Sequence, residues 1–159
     1  AVARMRESEN DLLKPYGKAI RLVIGLFCTE TFDYSALVNG KLRKHYNLES
    51  YEIRKMDVKG KLEITKQDGS SVVVPLAELE TCIRKGCHYC TDLTSIYSDI
   101  SAGAIGSPAG STTLIIRSAT GNGFVESAIK NQKLTVSSGI DAAAIEKLAK
   151  AKIKKNSGK

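Results

Sequence analysis

The chain has 159 residues, enough for one domain with a sizeable core. Hydrophobic residues make up 42% and charged residues 26%, an ordinary globular balance, and no apolar run is long enough to cross a bilayer. The net charge of +7 is concentrated in the C-terminal "EKLAKAKIKKNSGK"; with aromatics at 6% and no aromatic–basic interleaving, it reads as a solvated helical face and tail rather than a nucleic-acid surface.

The chain opens on Ala1, and "AVARMRESENDLLKPYG" reads as a helix already under way, as expected of a piece of a longer protein. Helical spacing runs through residues 2–13 and stops near Pro15–Gly17. "AIRLVIGLF" is nearly continuous, apolar and rich in branched side chains, which predicts a buried central strand in a parallel or mixed sheet, with Cys28 at its C-terminal end. Residues 34–46 have helical spacing, with Tyr34, Leu37, Val38 and Leu42 on one face and Asp33 as N-cap. "YEIRKMDV" predicts a strand, and "KLEITKQDGSSVVVP" a hairpin whose Asp68-Gly69 supplies positive φ angles. Pro75 opens a short helix over "LAELETCI" that ends near Gly86.

Residues 87–110 read as a long loop rich in Gly, Ser and Thr, a length that in compact domains points to function. "TTLIIRS" predicts a strand, "TGNG" a turn, residues 124–131 a helix and "KLTVS" a short strand. A last helix starts near Asp141 and places Ile145, Leu148 and Ile153 toward the core. The expected fold is mixed α/β: a mixed sheet with flanking helices, a β-hairpin and a long cofactor-binding loop, forming one domain over residues 1–155 with a tail at 156–159.

Two features carry chemistry. "CIRKGCHYC" packs three of the four cysteines, Cys82, Cys87 and Cys90, into nine residues, and Cys28 is the fourth. Four thiolates suit an iron–sulfur cluster or a structural zinc. Three clustered ligands and one remote one favour iron–sulfur over the two short pairs typical of zinc, although spacing alone does not fix the cluster type. A redox dithiol and plain buried thiols remain the alternatives. His88 between two cysteines reads as a hydrogen-bonding residue, and His45 as a surface one. The second feature is "CTDLTSIYSDISAGAIGSPAGSTTLIIRS". Gly103, Gly106 and Gly110 let backbone N–H groups approach a ligand, and the Ser and Thr hydroxyls and Arg117 suit a phosphate or pyrophosphate. Asp99 accepts from a ribose hydroxyl or fixes the loop. On composition alone such a loop is as often structural.

"VIGLFCTETFDY" followed by the cysteine run and "SDISAGAIGSPAGSTT" resembles the C-terminal domain of the coenzyme F420 hydrogenase/dehydrogenase beta-subunit family, over most of the chain. "AVARMR" resembles the segment that follows the family's N-terminal domain, which this sequence then lacks. The resemblance implies an oxidoreductase that exchanges electrons with the deazaflavin coenzyme F420 through FAD and a 4Fe–4S cluster, as the beta subunit of a cytoplasmic hydrogenase or dehydrogenase complex. It implies Cys28, Cys82, Cys87 and Cys90 as cluster ligands. It places Asp92, Ser98, Asp99, Ser101, Gly103, Gly106, Thr112, Thr113 and Arg117 at or near the flavin. No catalytic residue follows from it. The expected partners are the other subunits of the complex and the deazaflavin, with no nucleic acid and no membrane insertion. Lys55, Lys59 and Lys61 are candidates for attracting the coenzyme's acidic tail, against a simpler reading as exposed strand lysines. A zinc-binding interaction domain, and a reductase of the same family with another acceptor, are the competing readings.

Overall fold

A computed structural model describes residues 2–58 and 60–158, with Ala3 and Arg4 described by their backbone alone. The chain divides into two compact units, one of Ala1–Thr29 with Cys90–Lys159 and the other of Glu30–Tyr89. Each carries a three-stranded sheet with helices, which gives the mixed α/β architecture expected.

In the first unit, helices α1 (Val2–Arg6) and α2 (Lys14–Ala19) replace the single helix predicted at the start. The break lies where polar side chains compete with the helical ladder: Ser8 Oγ accepts from Asn10 N–H at 3.2 Å and Asn10 Oδ1 from Leu12 N–H at 2.9 Å. Pro15 opens α2 instead of ending α1, because a first-turn proline forfeits no helical hydrogen bond. Strand β1 is Ile24–Leu26. It pairs in parallel with Ile100–Gly103, which pairs antiparallel with Thr113–Ile116. The sheet is mixed, as expected, but β1 is its edge and not its centre, and Ile24 and Leu26 are exposed.

The central strand, Ile100–Gly103, lies inside the segment read as a loop. Its four residues are too few and too small to show an alternation, yet Ile100 and Ser101 are both buried. The "TGNG" turn is instead the first turns of helix α4 (Ala119–Lys130), capped by Ser118 Oγ accepting from Gly121 N–H at 3.0 Å. Gly121 packs so closely that a Cβ there would lie 2.5 Å from Asp99 O. "KLTVS" joins no sheet. Helix α5 (Ala142–Asn156) starts where predicted, is capped by Asp141 and buries Ile145. Ile153 is exposed, however, and Lys152 and Asn156 are buried.

In the second unit, Ser35–Leu42 winds as a π-helix and continues as α3 (Arg43–Tyr46). Asp33 caps it, with Oδ1 accepting from Ala36 N–H at 2.9 Å. Leu37, Val38 and Leu42 face the core as predicted, but Tyr34 is exposed. Asn47, at φ 49°, ends the helix in the left-handed conformation and turns Leu48 inward. Strands β2 (Ile53–Val58), β3 (Lys61–Lys66) and β4 (Ser71–Pro75) form an antiparallel meander. The remaining strands, in chain order, are β5 (Ile100–Gly103) and β6 (Thr113–Ile116) of the first unit. At the β3–β4 turn only Gly69 takes a positive φ, 84°; Asp68 instead accepts from Ser70 N–H at 2.9 Å. Leu62 and Ile64 alternate inward and pack with Val74, Leu79, Leu42 and Cys82 in one apolar cluster. A 3-10 helix over Leu76–Cys82 follows Pro75, and a second over Lys85–His88 carries Cys87.

Ile64 has no solvent exposure and sits on the middle strand of the meander. Ile64→Ala removes about 2–5 kcal/mol of stability. Urea denaturation followed by circular dichroism measures this, and a loss under about 1 kcal/mol contradicts the packing described.

Candidate functional site

The centre of the first unit is the Asp99 carboxylate. It stands just before β5 and is 6% exposed. Oδ2 accepts from Arg6 Nη1 and from Val23 N–H, both at 2.8 Å, and Oδ1 accepts from Ser118 Oγ at 2.7 Å. Its backbone also pairs: Asp99 N–H donates to Val23 O, and Asp99 O accepts from Arg117 N–H, both at 2.9 Å. Burial pushes the carboxyl pKa up, but the Ser118 hydroxyl, the Val23 amide and the Arg6 guanidinium outweigh it and hold the group below its ordinary value. Of the two roles expected for Asp99, the geometry is that of fixing the loop.

A second network lies beside it. Arg117 Nε donates to Ser101 Oγ at 2.9 Å and Nη2 to Thr94 Oγ1 at 2.8 Å. Ser101 Oγ is 3.1 Å from Ser98 Oγ, which donates to Ser95 O at 2.7 Å. Asp92 accepts N–H groups from Thr94 and Ile96, both at 3.0 Å. Gly103 is required because a Cβ there would run into the Phe27 ring. Gly106, at φ 85°, accepts from Asp141 N–H at 2.8 Å and so ties the loop to the cap of α5. Thr113 is buried and donates to Ile105 O at 2.9 Å. Most of the polar loop residues singled out from the sequence are thus engaged in holding the loop's shape.

What they hold is one wall of a cleft of about 530 Å³. Ser107–Leu114 contribute this wall, and Leu134–Ile140 the other. Gly110, Thr112 and Thr113 are the residues singled out from the sequence that line it. The second wall begins in the stretch read as a strand, "KLTVS", and runs on to Ile140. Its hydroxyl-bearing residues, Thr135, Ser137 and Ser138, line the same cleft as Ser107, Ser111 and Thr112, and no sequence motif marks them.

The cysteines are placed by different elements. In the first unit, Cys28 N–H donates to Leu93 O at 2.8 Å, and Cys90 Sγ is 3.7 Å from Asp92 O. In the second, an antiparallel bridge between Phe32 and Ile83 aligns residues 31–33 with 82–84, reinforced by Asp33 N–H to Cys82 O at 2.7 Å and Arg84 N–H to Thr31 O at 3.0 Å. This alignment brings Thr31 N–H to Cys87 Sγ at 3.4 Å. Cys82 is buried, with Sγ 3.5 Å from Ala36 O. Among the described residues, no three Cys, His, Asp or Glu side chains gather closely enough to hold a metal ion. His45 is exposed and His88 half-buried. Lys55 pairs with Asp57 at 2.6 Å and Lys61 with Glu63 at 3.9 Å; Lys59 lies outside the described residues.

Residues 1–142 match the family model for the C terminus of the coenzyme F420 hydrogenase/dehydrogenase beta subunit. The chain belongs to this family. It is 42% identical over 156 residues to an uncharacterized protein of Methanocaldococcus jannaschii, covering 98% of this chain and 43% of that protein. It is 35% identical over 144 residues to the coenzyme F420 hydrogenase subunit beta of Methanosarcina barkeri, covering 86% and 48%. A chain in the structure of the F420-reducing NiFe hydrogenase complex from Methanosarcina barkeri superposes with a TM-score of 0.84 at 31% identity, covering 98% of this chain and 55% of that one. The chain therefore spans about half the length of those relatives. The matched residues include all four cysteines and the whole loop from Asp92 to Arg117, whereas α5 lies almost entirely beyond them. No described helix is long and apolar enough to cross a membrane.

Asp99→Asn keeps the shape but leaves Arg6 without its counter-ion, and costs about 3 kcal/mol near neutral pH. Because the folded carboxyl titrates below the unfolded one, its contribution is complete above the unfolded value of about 4 and is lost as pH falls through the folded value. The stability difference between the two proteins, measured by denaturation across pH, is flat above about pH 5 and shrinks only below about pH 4. A difference that vanishes already near pH 6 contradicts a depressed carboxyl.

Proposed function

We propose that this chain is the C-terminal part of a redox subunit that exchanges electrons with coenzyme F420. In this reading, Cys28, Cys82, Cys87 and Cys90 are the ligands of a 4Fe–4S cluster, and FAD occupies the hydroxyl-lined cleft of the first unit. The observation that carries it is family membership over a match that contains all four cysteines. The donor set is chemically suited: four thiols, with Cys87 already accepting a backbone N–H as a metal-bound thiolate does. Bound together, flavin and cluster supply the conversion between the two-electron chemistry of a deazaflavin and one-electron partners.

The chain's own contribution is to bind and orient. Ser111 and Thr112 offer hydroxyls, and Gly110, at φ 84°, lets the backbone approach a ligand on the same wall. Asp99, Ser101 and Arg117 fasten together the ends of β5 and β6, the strands between which that wall runs. The Thr31 N–H donated to Cys87 stabilises negative charge on sulfur and so favours the reduced state of a bound cluster. The expected partners are the other subunits of a hydrogenase or dehydrogenase complex.

Two variants of the full-length protein, purified without oxygen, test the two sites separately. Cys87→Ser loses its iron and acid-labile sulfide; full iron content in that variant removes Cys87 from the ligand set. Thr112→Trp fills the cleft and loses most of its flavin while keeping its iron. Unchanged flavin in the tryptophan variant places the cofactor elsewhere.

A further inference from the structure

The lysine-rich C-terminal helix reads in the sequence as a solvated face, but one of its lysines is not solvated. Lys152 is 6% exposed. Its Nζ donates to Cys28 O and to Asp92 O, both at 2.6 Å. No carboxylate pairs with it among the described residues, and its third N–H has no acceptor there. One helical turn on, Asn156 Nδ2 donates to Cys90 O at 2.6 Å. Residues 152 and 156 on one face of α5 therefore grip the backbone at both cysteines of the first unit.

A buried ammonium that meets only neutral carbonyls is costly, because two dipoles do not replace a hydration shell or a counter-ion. The cost is met when an anion lies against it. A site built from thiolates is such an anion, and Lys152 is held at two of the thiol-bearing segments. We propose that Lys152 is the buried counter-charge of the group bound by the cysteines: it fixes the Cys28 and Asp92 backbone through two N–H groups and directs its third N–H and its positive charge at that group. This rests on the cluster reading above and concerns residues of α5 that lie beyond the family match. Lys152 is a positioning residue; Asn156 shares the grip and carries no charge.

The test is the midpoint potential of the bound cluster, by potentiometric titration of the full-length, anaerobically purified protein, with iron and sulfide counted in each variant. A positive charge beside the cluster favours its reduced state. Lys152→Met therefore shifts the midpoint to more negative values, Lys152→Arg stays close to the wild type, and Asn156→Ala retains less iron with an unchanged midpoint. A wild-type midpoint in Lys152→Met overturns the proposal, as does an equal shift in Asn156→Ala. If Lys152→Met does not fold, carbon-13-labelled lysine in the wild type decides. The Lys152 resonance, assigned with Lys152→Arg, is displaced or broadened by the reduced cluster, and an unaffected resonance overturns the proposal. Wild-type protein with no iron or sulfide instead overturns the cluster reading itself, and this inference with it.

Discussion

The first unit is organised around one buried negative charge. Asp99 stands immediately before β5, and its two oxygens collect a guanidinium from α1, an amide from the approach to β1 and the hydroxyl that caps α4. Three segments far apart in sequence are thereby held at one point. A carboxylate this buried is tolerated only because every donor is in place, so the network is either complete or destabilising. β5 and β6 are anchored at that point, and the loop between them can then have the irregular, glycine-dependent path that forms a cleft wall.

Much of this was legible where chemistry is local. The β3–β4 hairpin follows from alternation around Gly69, the start of α5 near Asp141 from its apolar spacing, and the capped helix after Asp33 likewise. β5 was not legible, because "ISAG" has neither length nor alternation and is a strand only through its neighbours. β1 shows the converse. Its apolar residues suggest a buried centre, but only Ile24–Leu26 pair and they do so at an edge. "TGNG" carries turn residues by composition, yet a serine cap and the close approach to Asp99 make it helical. In each case a contact distant in the chain overrides local preference.

The candidate site divides in the same way. Residue types at fixed spacing identified the cysteines, and the loop residues, from Asp92 to Arg117, were visible as a group. Their division of labour was not visible, since nothing in "SDISAGAIGSPAGSTT" marks where the bracing residues end and the cleft-lining ones begin. The second cleft wall and the inward turn of Lys152 lack any motif. A lysine among lysines shows its difference only when the helix is packed and one of them meets two carbonyls at 2.6 Å instead of water.

The central claim is that the four cysteines carry an iron–sulfur cluster, and the metal and sulfide content of the full-length protein, purified without oxygen, tests it most directly. About four irons and four acid-labile sulfides per cysteine set is the predicted result. Zinc in place of iron, with no sulfide, contradicts the account and makes the same four thiols a structural site.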